Sequence, residues 1–523
     1  MLFSFPWCLS RYVGAVGAPP RHRAGRSFHR VEPLARVVLE CTPGVLQVHW
    51  EFRAGDDFSS YSEQVPSTSD LASTLDHDQA VGRLRSSYQR IPAGAPVRLA
   101  KRSSNLFRPR SALDSPGLDV SGLTGVISVD PVGRTADVQG MCTYEDLVAA
   151  TLPHGLTPMV VPQLRTITLG GAVTGLGIES SSFRAGLPHE SVLELDILTG
   201  SGEIVTARPD GEHANLFRTF PNSYGSLGYA TRLRIELDRI SPYVALRHVR
   251  LGLDELSPAI ESIVADGTYG GEPVHFVDGV AFSPDEAYLT LGRNSDTAVQ
   301  VSDYTGQQIF YQSIQQRSTD ALTAHDYLWR WDTDWFWCSA AFGAQNPYVR
   351  RIWPRRLRRS DVYHKIIGFE NRHQVAARIN RRRGNPDRER VVQDVEIPVS
   401  RLAGFLRWFD AEVGMRPMWL CPLRLRGDAS WPLYPLKPGE TYVNVGFWGT
   451  VAIAPGAADG DVNRRIEAAV ADFDGHKSLY SDAYYDRDTF DRLYNVPALT
   501  AVKERYDPDA RLTGLYEKAV TRR

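Results

Sequence analysis

The stretch TLGGAVTGLGIESSS, Thr168 to Ser182, decides the reading of this chain. Gly170, Gly171, Gly175 and Gly177 stand there among small and hydroxylated residues, so backbone N–H groups can approach a diphosphate and wrap it without obstruction. Two further segments share this texture: RLAKRSSN, Arg98 to Asn105, and YGSLGYATRLRIEL, Tyr224 to Leu237. Any one alone is more readily a plain turn, but three in order, separated by strand-forming sequence, read as a phosphate cradle. It is not a Rossmann fingerprint, because Ser180 stands where a third glycine should follow Gly175 and Gly177. A Walker A motif is absent too.

Outward from the cradle, the pattern is that of an α+β domain over residues 76–240. A helical stripe of Val81, Leu84 and Tyr88 lies within Asp76 to Arg90. Two short strands, Val126 to Val129 and Thr135 to Val138, flank Pro131 and Gly133, and a helix opens at Thr143 with Asp146 three residues on, a capping pattern. SVLELDILTG and EIVTA then read as a hairpin about Gly202. From 241 to 470 the strands and helices lengthen, aromatics and arginines multiply and the glycine-rich loops cease, which marks a second domain for substrate. Residues 471–523 are expected to pack back on the first. Residues 1–75 show only short apolar pieces among Arg, Pro, His and Ser clusters, and read as a disordered extension or the product of a start codon placed too early.

A chain of 523 residues is too long for one core and can bury a cofactor. Its net charge of -2 argues against nucleic acid. Five scattered cysteines, with no CxxC pair, indicate neither a disulfide framework nor a metal site, and fit a reducing cytoplasm. No apolar run is long enough to span a bilayer, so the expectation is a cytoplasmic protein, soluble or peripheral on the inner face of the membrane.

The succession of an Arg/Ser turn, a T-x-GG loop, HESVLELDILTGSGEIV, NLF and GSLGYATRLRIEL resembles the PCMH-type FAD-binding domain of the vanillyl-alcohol oxidase superfamily. GIESSSFRAGL, HFVDG, VVQDVEIP, RPMWLCP and YSDAYYDRDTF resemble, in order, segments of the diminuto-like 24-dehydrocholesterol reductase family. RLAKRSSNLFR, QGMCTYEDLVAATLPHGL and DYLWRWDTDWFWC resemble the bacterial flavin reductases that convert 10-methylene to 10-methyl acyl chains of phospholipids, the route to tuberculostearic acid. Coverage runs from about residue 95 to the C-terminus.

By matching position, the resemblance implies that Arg98, Lys101, Arg102, Ser103, Ser104 and Asn105 cradle the FAD diphosphate. Thr168, Leu169, Gly170, Gly171, Ala172, Thr174, Gly175, Gly177, Ile178, Glu179, Ser180 and Ser181 run along diphosphate and flavin, while Gly225 and Gly228 close the adenosine side. His189 and Glu190 lie just past this wall. Covalent members carry a His in the first loop or a Cys nearby; RLAKRSSN has neither, so FAD is expected to be non-covalent, with NADPH as the implied reductant.

The implied reaction reduces an isolated carbon–carbon double bond that no carbonyl activates. Protonation must then come first, giving a tertiary cation that a hydride quenches, so the site needs an acid, a dry pocket and aromatic faces. Candidate acids are Glu179, ranked first, then Asp394 and Asp278. Glu179 could instead bind a flavin hydroxyl or cap a helix, and Asp394 could pair with an arginine. Trp419 and Cys421 alternate onto one face of a strand, toward the substrate or simply into a core.

WRWDTDWFW, Trp329 to Trp337, has four tryptophans, and VRRIWPRRLRR has six arginines, so residues 329–359 read as a peripheral membrane edge. The alternative is tryptophans in a buried tunnel or core, with the arginines on a solvated face. The expected substrate is a methylene-branched acyl phospholipid. Alternatives are a sterol or isoprenoid side chain, an oxidase of the same superfamily, or a flavin-binding membrane partner of a lipid methyltransferase.

Overall fold

The computed structural model describes residues 12–14, 35–42, 45–54, 57–64, 68–100, 116–373, 386–454, 456–458 and 460–521, with side chains from Asp76 onward except within 368–373 and at Phe342. The chain divides into two units, Met1–Asp78 and Gln79–Arg523.

In the first unit the strands Tyr12–Gly14, Ala35–Thr42, Val45–Ala54 and Asp57–Gln64 form one antiparallel sheet. The reading of 1–75 as disordered is therefore corrected for these strands. In VLQVHWEFRA, Leu46, Val48, Trp50 and Phe52 alternate with Gln47, His49, Glu51 and Arg53, the period of a strand, and the segment pairs with ARVVLECT from Ala35↔Phe52 to Thr42↔Val45. The rest of 1–67 lies outside the described residues.

The second unit is built on two antiparallel sheets with helices between and around them, the α+β class expected. The smaller sheet runs in the order Val126–Asp130, Thr135–Gln139, Tyr229–Arg239, Val192–Leu198, Ile204–Ala207, with Leu156–Pro158 also on Tyr229–Arg239. The helix Tyr144–Thr151 opens where its sequence says: Thr143 Oγ1 accepts from Asp146 N at 3.1 Å. The hairpin turns at Gly202, whose φ of 89° suits glycine.

The larger sheet has eight strands, in the order Thr319–Thr323, Tyr243–Leu251, Glu286–Ser295, Phe276–Ser283, Met418–Arg424, Thr441–Ala452, Arg388–Pro398, His476–Lys477. Strand alternation splits it into two unlike faces. One face, with Val277, Leu289, Leu420, Val445 and Val395, is mainly apolar and packs with Leu256, Ile260, Phe405, Phe409 and Ile466 of the helices Leu253–Asp266, Leu402–Glu412 and Asp461–Asp472, while its Glu389, Gln393 and Lys477 bond to Asn463 and Glu467 of the last of these. The other carries Asp278, Trp419, Cys421, Asn444, Gly446, Asp394 and Glu396. Burying so many polar groups on one face has a cost that only function or compensating bonds explain.

The last helices, Val496–Tyr506 and Leu515–Ala519, lie against the smaller sheet's loops. Ser201 N donates to Tyr506 O at 3.1 Å, and Leu512 shares a cluster with Ala80, Leu84 and Leu198.

Candidate active site

A cavity of about 310 Å³ opens between the glycine-rich loop and the polar face of the larger sheet. Its first wall is made of backbone. Thr168 Oγ1 accepts from Gly171 N at 3.2 Å and starts the short helix Leu169–Thr174, while Gly170 N donates to Gly140 O at 3.0 Å. A Cβ on Gly170 would lie 2.5 Å from that same Gly140 oxygen, and one on Gly177 would lie 2.8 Å from Pro162 Cγ. Thr168, Gly170, Gly171, Thr174, Gly175, Gly177 and Ile178 line the cavity, with Gly225 and Tyr224 further along. A backbone surface this bare admits a flat, phosphate-bearing group at close range, so the residues fit FAD.

Other residues expected on this wall stand elsewhere. Leu169 and Ala172 turn into the core. Ser180 Oγ meets Tyr327 Oη at 2.8 Å and Ser181 Oγ donates to Met159 O at 2.7 Å. His189 is buried edge-on to Trp431 at 4.4 Å between ring centroids, held neutral because burial pushes it down to about 3. Glu190 accepts from Leu187 N and Arg426 N, both at 2.9 Å. Gly228, at φ 128°, is pressed against Leu198 O, and beside Arg98 it is Leu99 that reaches the cavity. For these residues the resemblance gave the neighbourhood and not the orientation. Lys101, Arg102, Ser103, Ser104 and Asn105 lie outside the described residues.

The facing wall is aromatic around one carboxyl. Asp394 lies across from Gly446, which lies across from Trp419; all three are on the cavity side of the sheet. The space above Gly446 is taken by its neighbours: a Cβ there would fall 2.5 Å from both Asp394 Oδ1 and the Trp448 ring. Asn444 Nδ2 donates to Asp394 Oδ1 at 3.3 Å, and Trp448 Nε1 donates to Tyr480 Oη at 2.7 Å. Burial raises the Asp394 carboxyl to about 7, against the lowering pull of hydrogen bonds from Asn444 and Tyr480. Trp335, Phe336 and His364 complete the wall, with Phe336 4.3 Å from Trp448 between centroids. His364 stands edge-on to Trp335 and is held neutral, pushed down to about 4 by burial.

Glu179 and Asp278 leave the list of cavity acids. Arg330 Nη2 lies 2.7 Å from Glu179 Oε1 and 2.8 Å from Asp278 Oδ2, with the guanidinium fully buried. Gln163 Nε2 donates to Glu179 at 2.6 Å, and the indoles of Trp331 and Trp419 donate to Asp278 at 2.8 and 3.3 Å. Burial pushes the Glu179 carboxyl up despite the guanidinium, but its oxygens point into this knot and not into the cavity. The order among candidate acids is therefore reversed: of the three, Asp394 is on the cavity. Of the strand pair, Trp419 lines the cavity while Cys421 is fully enclosed beside it.

The tryptophan-rich run is not a surface. Trp329, Trp331, Trp335 and Trp337 are all buried, as the alternative reading had it. Trp335 and Phe336 take positive φ, 46° and 59°, which turns their rings onto the cavity wall. Arg350 is buried too, 2.6 Å from Asp334 Oδ1, and Arg358 donates to Trp353 O at 2.9 Å. What remains outside is Tyr348, Ile352 and Leu357 with Arg351, Arg355 and Arg356. Sequence reasoning missed Tyr480, Trp448, Phe336 and His364 as cavity residues, although strand alternation from Gly446 would have found Trp448. Among the described residues no helix is long and apolar enough to cross a membrane, and no group of His, Cys, Asp and Glu is arranged to hold a metal.

A glycine wall facing an aromatic wall defines a flavin site, and residues 91–208, which build the first of these, match the family model described as FAD binding domain. The chain is an FAD-dependent oxidoreductase with a PCMH-type FAD-binding fold. It is similar to human Delta(24)-sterol reductase, 25% identical over 411 residues that make up 76% of each chain. The Arabidopsis thaliana Delta(24)-sterol reductase is 24% identical over 445 residues, 77% of this chain and 76% of the relative. A shorter likeness, 36% over 111 residues, links 21% of the chain to 20% of rice cytokinin dehydrogenase 2.

Proposed function

We propose that this enzyme reduces an isolated carbon–carbon double bond at a branched carbon of a lipid, with NADPH as electron donor and non-covalent FAD. The favoured substrate is the 10-methylene group of a phospholipid-borne acyl chain. The observation that carries the proposal is Asp394, a carboxyl raised to about 7 in a cavity walled by indoles. At neutral pH it is poised to hold a proton at Oδ and release it to an alkene carbon. The carbocation so formed would face Trp419, Trp448 and Phe336, whose ring faces stabilise positive charge by about 2 kcal/mol where water is excluded. FAD, held along Thr168 to Ile178, supplies when reduced the hydride that completes the saturated bond. Asn444 and Tyr480 orient the acid, and the buried indoles keep water from capturing the cation.

A sterol side chain is the second reading, favoured by the names of the relatives. The deciding experiment is anaerobic. Protein reduced with NADPH is offered methylene-branched phospholipid or side-chain-unsaturated sterol, and the flavin absorbance is followed. Reoxidation by the phospholipid, with a methyl-branched product, is the expected result; reoxidation by the sterol alone moves the assignment to the second reading. Bleaching by NADPH with no turnover of either would favour a flavin-binding partner of a lipid methyltransferase. Denaturation is expected to release the flavin from the chain.

We further propose that the exposed Tyr348, Ile352 and Leu357, interleaved with Arg351, Arg355 and Arg356, rest on an anionic membrane surface. Co-sedimentation with phosphatidylglycerol vesicles that is lost in Ile352→Asp supports this contact, and indifference to vesicle charge opposes it.

A further inference from the structure

Behind Asp394 a row of buried polar side chains crosses the larger sheet. Glu396 is two residues further along the same strand and therefore on the same face. In register it lies beside Asn444 on one side and His476 of the edge strand on the other. Asn444 in turn gives its amide N–H to Asp394 Oδ1 at 3.3 Å. Among the described residues, neither Asn444 Oδ1 nor His476 Nε2 has a hydrogen-bond partner in the protein, the Glu396 carboxyl has the Tyr434 hydroxyl beside it, and all three residues are buried. Buried polar atoms left unpaired close together are rare in proteins and call for an explanation.

The groups facing Glu396 are Asp394 on its own strand, Asn444 across from it, His476 on the edge strand, the Tyr434 hydroxyl and, near Asp394, Tyr480. None is a cation: His476 is pushed down to about 4 by burial and is neutral. Burial, reinforced by the charge of Asp394 when ionised, pushes the Glu396 carboxyl well above the ordinary range, so this glutamic acid keeps its proton at neutral pH.

We propose that Glu396 is the proton store of the enzyme, reloading Asp394 from the sheet edge after each turnover. The inference rests on Asp394 being the proton donor of the alkene reduction. In each cycle the Asp394 O–H bond breaks as the new substrate C–H bond forms, leaving a carboxylate. The Glu396 O–H bond then breaks as its proton passes along the shared strand face to that carboxylate and re-forms the Asp394 O–H bond. A solvent proton entering past His476 and Tyr434 restores Glu396. One proton is consumed per double bond reduced, matching the one hydride that NADPH contributes through the cofactor. Glu396 thus acts through Asp394 and does not touch the substrate.

The test uses full-length, FAD-loaded protein and two readouts. Infrared spectra at about pH 8, where ordinary carboxyls are ionised, should contain a protonated-carboxyl band that shifts in D2O and disappears in Glu396→Gln. In rapid mixing of pre-reduced enzyme with methylene-branched phospholipid, Glu396→Gln should leave the first turnover unchanged and slow later turnovers about tenfold, the low end of what a positioned acid contributes. Glu396→Asp should restore both band and later turnovers. A band indifferent to the substitution, or first and later turnovers slowed in parallel, overturns the proton store. If wild-type protein reduces no alkene while the band behaves as expected, the substrate reading fails and the store stands. Should Glu396→Gln lose its FAD, a displaced band in Glu396→Asp supports the store and an unmoved band overturns it.

Discussion

At the scale of the residue, Asp394 concentrates the conflict between stability and chemistry. Its carboxyl rises from 3.8 to about 7 on folding, so between these values the folded chain binds more protons than the unfolded one. The stability this contributes is complete below about pH 4 and lost as pH climbs through 7. Asp394→Asn, neutral at every pH, should therefore melt at a higher temperature than wild type above pH 7, as scanning calorimetry would register. The same variant should lose alkene reduction by a factor of about 10² to 10⁴, the range of positioned acids, while keeping its flavin. In the wild type, turnover should fall as pH rises past about 7 because the donor is then ionised. A variant that lost activity and stability together would mean that the residue is a fold determinant.

At the scale of the element, the short helix Leu169–Thr174 works by proximity to a strand end. Gly170→Ala would drive a methyl group into the Gly140 carbonyl, whose own N–H is pinned to Thr231 O at 3.0 Å, so neither partner can yield. Purified Gly170→Ala should contain little or no flavin by absorbance. Gly171→Ala, which meets only the Thr168 hydroxyl, should lose less. This element was readable in the sequence because glycine density reports close backbone approach directly. The aromatic wall was not. Trp329, Trp331, Trp335 and Trp337 alternate as they would on a strand, but the structure forms tight turns there, and with Trp335 and Phe336 at positive φ the rings go in directions no regular element would send them. Trp419 and Cys421 do share a face as alternation required, yet whether a face meets cavity or core depends on what packs there, and that is a tertiary fact. Glu179 was overrated for the same reason, since nothing near it in sequence announces Arg330.

At the scale of the whole molecule, Arg330 is the pin. It and Asp278 belong to the region of the larger sheet, Glu179 to the loop that ends the glycine wall, and all three are buried. Arg330 is the one cation bonded to this buried pair of carboxyls among the described residues, so Arg330→Met should cost about 3–5 kcal/mol in denaturant unfolding. A loss under about 1 kcal/mol would mean that Arg330 does not hold the cluster together. The pin also limits how this architecture can be taken apart. Its flavin wall ends in a buried carboxyl whose partner arginine is encoded some 150 residues later, so the FAD-binding half, made alone, would leave that acid without its partner behind its own cofactor wall. Grafting a foreign cap onto it to change substrate would succeed only where the donor brings its own arginine, and the two halves of such an enzyme must diversify as a matched pair.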